Sequence, residues 1–541
     1  MIQNKMDFSM YINRFFSYLI LSIILSGCSG PMYNTSNDWS VPDDTVIGHP
    51  EKLEHGKISS MYGSFNSDGQ QQNIAVMLPL TGANANIGKT IRTSIEIATL
   101  ENNSDNISVS FYDTVPDINN TITDVLTNSP DIIIGPLFAK DAKMLRDAKP
   151  DLLPVLSFTS DTDAVGNGVM TMALMPTNSV EEIVKQIKTD DIKNFIIIAP
   201  DNKSGHMMAG IAQTASEIYE MPLIGIFFYT EKDSDSIKNT ALSASMYTAR
   251  TAAHTRIRQI ISDVLTNEEL TPIEKSNLNT QLTKLEKTET VGNVPYDAIL
   301  FLGNGDDTKA IASFLRYYNV TSRDAAFYGT TMWEGSDIAS DYTLNGAKYV
   351  TLPETNSAFS EIYEKTIGSQ PNRLSSFGYD ATNAAINMLR TKKSKADYLL
   401  SPSGYIGTDG LFRLMPNGNN ERALRVMQLN GSGTPVEIKS PAINFITPLY
   451  SIKQSDISPA NASELETDGI NPNQYVRLPE RLRDKYRSKI IGANIKQNNK
   501  KLPAEMIAVA HDDTSIQTPE YKSVKPESVK RTYIDEYEIE E

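Results

Sequence analysis

Eight short apolar runs between residues 73 and 330 constrain this chain more than any other feature. They read NIAVMLPL, ISVSFYD, DIIIGPL and LPVLSFT, then FIIIAP, LIGIFFY, AILFLGN and AAFYGT. Each is rich in β-branched and aromatic residues and nearly continuous rather than alternating. A strand that is apolar on both faces must be covered on both, which is the situation of a parallel sheet between helices. Stretches of helical pattern separate most of the runs, so the chain predicts βαβ units and an α/β fold. The runs are too many for one comfortable sheet and fall into two groups, before and after about residue 190. They predict two lobes, each a doubly wound parallel sheet, with a hinge cleft between them.

The segments flanking this region read differently. Lys5 and Arg14 accompany an apolar stretch from Phe15 to Leu25, too short for a membrane span of about 20 residues and fitting the centre of an export signal. The stretch ends in Leu25-Ser26-Gly27-Cys28, which matches the bacterial lipoprotein box, where the cysteine is lipidated and the signal cut just before it. Cys28 is the only cysteine in 541 residues, so no intramolecular disulfide is available. Residues 1–27 are therefore expected to be a signal peptide and Cys28 the lipidation site. Residues 28–72, polar and rich in Ser, Asn, Gly and Asp, are expected to form a flexible tether. The protein would be anchored in the bacterial envelope facing the periplasm, and Ser29 after the cysteine points to the outer membrane. At the other end, 448–541 is too polar to offset its ordering entropy. It is expected to be mostly disordered, with a short helix near 478–490. An insert at 231–295, with ARTAAHTRIRQIISDVL and KSNLNTQLTKLEK, predicts charged helices that pack on a sheet or face a partner.

Several chemistries are excluded. A net charge of −16, from 66 acidic and 50 basic residues, lacks the basic footprint of a nucleic-acid binder. Gly88-Lys89-Thr90 ends like a phosphate-binding loop, but Gly82 and Gly88 enclose five residues where that loop needs four. His49, His55, His206, His254 and His511 show no metal-ligand spacing with cysteines or carboxylates. There is no Gly-x-Ser-x-Gly elbow and no Ser-x-x-Lys, and nothing singles out a glycosidase carboxylate pair. The expectation is a protein without catalytic residues, metal or cofactor.

The polar residues with a shared placement are those at strand ends. They are Thr81 and Gly82, Gly135, Ser157, Thr159 and Ser160, and Asp201 and Ser204. In open α/β sheets, ligands bind beyond the carboxyl ends of strands, where helix N-termini present free N–H groups. Two lobes facing each other with such ends form a cleft that closes by a hinge.

These stretches, in order, resemble a known family. IAVMLPLTGANANIGKTIRTSIEIA, DIIIGPLFAKDAKML, LPVLSFTSD, FIIIAPDNKSGHMMAG, AFYGTTMWEG, RLSSFGYDATNAA and GYIGTDGLFRLMPNGNNERALRVMQL look like type I periplasmic binding proteins of the leucine-binding kind. Their order and spacing resemble most the lipoprotein branch called penicillin-binding protein activators, across about 73–447. The resemblance implies two lobes joined by three crossing segments, one lobe holding 73–189 and about 352–405, the other 190–351 and about 406–447. In solute-binding members, Ser/Thr at the positions of Ser157 and Thr159 hold the amino-acid backbone, together with an aromatic residue of an Asp-x-x-Tyr-Gly motif. Here that motif reads Asp201-Asn202-Lys203-Ser204-Gly205, with Ser204 in place of the tyrosine. Tyr379-Asp380 matches the family's Tyr-Asp pair, which faces the cleft or braces the hinge. The resemblance implies a non-enzymatic lipoprotein that regulates peptidoglycan synthesis by binding and activating a penicillin-binding protein. The alternative is the lipid-anchored receptor of an ABC transporter, closing on a small amino acid or peptide.

Overall fold

The computed structural model describes residues 71–102, 106–391, 393–445 and 476–486. All of them belong to one compact unit, Ser40–Glu541. The expected signal peptide, Cys28, nearly all of the tether and most of the C-terminal tail lie outside the described residues.

All eight apolar runs contain strands. β1 (Gln72–Leu78), β2 (Ile107–Asp113), β3 (Ile132–Ile134), β4 (Val155–Ser157) and β5 (Val169–Thr171) make an entirely parallel sheet in the order β2-β1-β3-β4-β5. β6 (Phe195–Pro200), β7 (Leu223–Tyr229), β8 (Ala298–Phe301), β9 (Ala326–Gly329) and β10 (Lys348–Thr351) repeat that order as β7-β6-β8-β9-β10. β14 (Arg425–Gln428) and β15 (Val436–Lys439) extend the second sheet antiparallel beyond β10. β11 (Tyr405–Gly407), β12 (Gly410–Leu414) and β13 (Asn420–Arg422) form a small antiparallel sheet of their own.

Helices cover both sheets, as continuous apolar strands require. α1 (Ala85–Asn102), α2 (Ile118–Thr127) and α3 (Ala139–Ala148) serve the first sheet; α4 (Pro176–Thr189), α5 (Lys203–Ile218), α6 (Ser234–Ala244), α7 (Tyr247–Asn267), α8 (Pro272–Leu285) and α9 (Gly305–Tyr317) follow. α10 (Ser357–Ile367), α11 (Arg373–Arg390) and α12 (Lys395–Leu399) come after β10, and α11 packs along α1 and against β3. Each sheet has its own core, with Met77, Ile133 and Val155 in the first and Ile198, Phe301 and Trp333 in the second. Among the described residues, no helix is long and apolar enough to cross a membrane.

Two boundaries differ from the expected lobes. The chain leaves the first sheet between β5 and α4, because α4 already packs on α5, β9 and β10. Its C-terminal cap Asp190 accepts from Tyr328 (2.6 Å) and pairs with Lys348 (2.8 Å), both of the second lobe. Residues of 406–422, expected with the second lobe, are instead bonded to β5 and the residues after it. Thr171 N donates to Gly418 O (2.8 Å), and Asn420 Nδ2 donates to Thr171 O (2.8 Å) and Ala173 O (2.7 Å). In the C-terminal segment, residues 480–486 are helical and packed against the insert.

The glycine of Gly88-Lys89-Thr90 has a packing reason. A Cβ at Gly88 would stand 2.1 Å from Pro79 O, so only glycine lets the helix approach the end of β1. The second lobe repeats the device, with Gly205 2.0 Å from Pro200 O by the same measure.

Candidate functional site

The strand-end residues of the first lobe hold their own loops. After β1, Leu80 N and Thr81 Oγ1 both donate to the Asp113 carboxylate, at 2.9 and 2.6 Å. Burial alone would raise the Asp113 pKa, but hydrogen bonds from Thr81, Val115 and Leu80 outweigh it and hold the group below its usual range. Gly82 turns the chain there with φ +72°. Gly135, at φ +93° and followed by a cis bond to Pro136, lies against β1, where a Cβ would meet Met77 O at 2.1 Å.

Ser157 and Thr159 are buried and bonded within the chain. Ser157 Oγ donates to Pro136 O (2.8 Å) and accepts from Thr159 N (3.3 Å). Thr159 Oγ1 accepts from Asp161 N (3.1 Å), and its carbonyl accepts from Thr171 Oγ1 (2.5 Å). These two hydroxyls, expected from the resemblance to hold a ligand, tie β4 to the loop after β3 and close a turn. Ser160 beside them is exposed.

In the second lobe, Asn202 caps α5 by accepting from Gly205 N (2.8 Å) and reaches Glu231 (2.9 Å). Asp201 and Ser204 are exposed at this helix start. Asp201 Oδ1 lies 2.8 Å from His206 Nε2, and the imidazole stacks on Phe228 with centroids 4.0 Å apart. The ring at this loop is therefore His206, two residues after Ser204, where the resemblance would place a tyrosine.

Tyr379 and Asp380 stand apart from these loops. Tyr379 is buried between α11, α10 and α1; its hydroxyl donates to Glu101 (2.7 Å) and its ring lies 4.5 Å from Phe359. It is a helix brace. Asp380 has no exposed surface and accepts from Thr408 N with both oxygens, at 2.9 and 3.2 Å. Burial and the neighbouring Asp409 push its pKa up to about 7, against the Thr408 bonds and the Arg422 charge.

Asp380 opens onto a network that crosses the hinge. Arg422 is buried between the rings of Phe377 (4.5 Å) and Phe412 (4.9 Å) and donates to Met172 O (2.5 Å). Burial lowers its pKa, against the pull of Asp380 and Asp409. Arg373, at the start of α11, pairs with Asp409 Oδ1 (2.8 Å) and Glu334 (2.7 Å) and donates to Pro353 O (2.9 Å). Glu334 follows β9 in the second lobe and accepts from Thr351 (3.0 Å) at the end of β10. Three carboxylates thus face two guanidiniums, an imbalance that one protonated carboxylate removes.

The structure therefore separates the residues singled out by sequence. Thr81, Gly82, Gly135, Ser157, Thr159 and Ser160 lie at the strand ends of one sheet, and Asp201 and Ser204 at the strand ends of the other. Tyr379 and Asp380 belong to the helix packing and the hinge. Sequence reasoning missed Asp409, Arg422, Arg373 and Glu334. Their surroundings in sequence, such as NNERALRV around Arg422, are mixed in polarity and give no local sign that these charges are buried together. Asp380 and Asp409 are closed off from solvent, and the proton chemistry of Asp380 acts on the fold. Among the described residues, no group of three or more His, Cys, Asp or Glu converges as a metal site.

Comparison with known families decides the kinship. The model of the LppC lipoprotein family matches residues 64–401, more than half of the 541-residue chain. The chain belongs to this family. No curated protein matches this LppC-family chain. Among solved structures, a Rhodospirillum rubrum protein described as a branched-chain amino acid ABC transporter is similar at 15% identity. The match covers 68% of this chain and 99% of that one, with a TM-score of 0.50. This likeness is one of fold, and the fold is that of the type I periplasmic binding proteins. The C-domain of LpoA from Haemophilus influenzae, described as a regulator of PBP1A, matches at 17% identity over 68% of this chain and all of that one (100%), with a TM-score of 0.47. The leucine-binding protein LivK of Thermotoga maritima matches at 15% identity over 68% and 97%, with a TM-score of 0.41.

Proposed function

We propose that this LppC-family protein is a lipid-anchored, non-catalytic envelope regulator that binds a penicillin-binding protein and activates it. One observation carries the choice over a transport receptor. Ser157 Oγ is buried and both donates and accepts within its own chain, and Thr159 Oγ1 is buried and accepts from Asp161 N, which favours a role in the loop over the holding of an amino acid. Ser204, exposed in place of the motif's tyrosine, supports the same reading. The sequence resemblance to penicillin-binding protein activators names the partner class, and Cys28 supplies the anchor facing the periplasm. Activation would follow from tighter binding to the active state of the synthase than to its resting state.

The test uses the full lipidated chain with purified penicillin-binding proteins of the same organism. Saturable binding to one of them, with faster glycan polymerisation or crosslinking, is the expected result. A ligand at a hundred times its Kd would raise stability by about 2.7 kcal/mol. A saturable melting shift of that size with an amino acid, and no binding to any synthase, would replace the proposal with the transport reading. Cys28→Ala is expected to move the protein from the membrane to the soluble fraction; its retention in membranes would remove the lipid anchor from the proposal.

A further inference from the structure

The insert, expected to carry charged helices that pack on a sheet or face a partner, has an apolar face whose cluster is separate from both sheet cores. Ile257, Ile261 and Val264 of α7 and Leu278 of α8 belong to a cluster separate from both lobe cores. What covers them is the C-terminal segment 476–486, whose Val476, Leu478, Leu482 and Tyr486 are all buried there. Val476 and Leu478 alternate along a non-helical lead-in, and Leu482 and Tyr486 lie about one turn apart on the helix that follows.

The polar contacts around this core are complementary. Gln281 clamps the backbone of Arg477, accepting from its N–H (2.9 Å) and donating to its carbonyl (3.2 Å). That pair reads a backbone, as a neighbouring strand does. Arg481 makes a two-pronged pair with Glu274, one contact at 3.0 Å, and donates to Glu269 O (2.7 Å). Lys485 and the Tyr486 hydroxyl both reach Glu268, at 2.5 and 2.9 Å. The segment is basic and amphipathic; the groove is apolar along its floor and acidic at its rim.

Residues 446–475 precede the segment, and thirty residues extend to about 100 Å. Four apolar side chains must offset the ordering of eleven residues, so the contact is marginal alone. Because the segment belongs to the same chain, its contact is intramolecular, which keeps a marginal contact occupied while leaving it open to exchange.

We propose that the α7–α8 pair is a peptide-receptor site whose resident, exchangeable ligand is this chain's own segment 476–486. The ligand class is a short basic segment with two alternating apolar residues, then Leu and Tyr four apart on a helix.

The test compares full-length wild type with Leu482→Glu and the milder Arg481→Glu, probed with a labelled synthetic peptide copying residues 474–488. The variants are expected to bind the peptide saturably and wild type at least about tenfold more weakly, because its own segment must leave first. Trypsin should cut between Arg477 and Lys485 faster in the variants. Adding Glu274→Arg to either variant should abolish binding, and a peptide carrying Arg481→Glu should restore it. Three results would overturn the proposal: folded variants that do not bind the peptide, equal binding by wild type, or indifference to Glu274→Arg. A wild-type dimer dispersed by excess peptide would also overturn it, because the segment would then sit on a second copy.

Discussion

Two buried polar clusters of this molecule behave in opposite ways. The loop at Ser157 and Thr159 is neutral, and its hydroxyls bond to groups from residues 136 to 171. The network of Asp380, Asp409, Arg422, Arg373 and Glu334 is charged and ties together the loop after β9, the start of α11, the β11–β13 sheet and the crossing at Met172. A neutral hydroxyl in a turn substitutes one modest hydrogen bond for another made with water. A buried charge has no such substitute, and its environment must be complete. The first cluster shapes a loop; the second sets how the hinge segments meet.

The strongest way to break this contrast is Arg422→Met. It leaves Asp380 and Asp409 buried without their inner counter-charge, which is expected to cost about 3–5 kcal/mol in denaturant unfolding. A loss below about 1 kcal/mol would show that the network is incidental and would erase the distinction.

The pH dependence sharpens the same point. Asp380 has its pKa raised from 3.8 to about 7 in the folded state, so between those values the native chain holds a proton that the unfolded chain releases. The unfolded state then binds fewer protons, and this group's contribution to stability is lost as pH rises through that window. Asp380→Asn keeps the shape and removes the titration. Its stability relative to wild type is expected to increase from pH 5 to about pH 7 and to level off above that. Parallel unfolding profiles for the two proteins would show that the hinge carboxylate does not titrate there.

The smallest effect belongs to the neutral loop. Ser157→Ala removes the bond to Pro136 O, which keeps Phe158 N as a donor at 3.0 Å. The expected loss is about 1 kcal/mol, read as a small fall in melting temperature. A loss near that of Arg422→Met would mean that the strand-end loop carries as much of the fold as the hinge.

Much of the architecture was legible because strand patterning is local. ISVSFYD coincides with β2, FIIIAP with β6 and LIGIFFY with β7; β6 is buried throughout and declares itself by composition, while β2 and β7 at the sheet edges are marked by their β-branched and aromatic residues. β10, β14 and β15 escaped notice. Each is four residues long with a lysine or arginine at an end, too short and too mixed to stand out. Tyr379-Asp380 was legible as a pair, but one residue braces helices and the other anchors the hinge. Neighbours on a helix point about 100° apart, and no local signal says what each will meet.

The sequence by itself determined two α/β lobes, the order of their strands' appearance and the polar residues at strand ends, because hydrophobic period and turn chemistry act over a few residues. The tertiary structure alone decided which polar groups are free. It closed the Ser157 and Thr159 hydroxyls onto their own turns. It brought Asp380 to Asp409 and Arg422, and laid residues 476–486 across helices some two hundred positions earlier. Desolvation and charge pairing depend on every segment that packs around a group. Those segments are distant in the chain, so their meeting is a property of the closed fold.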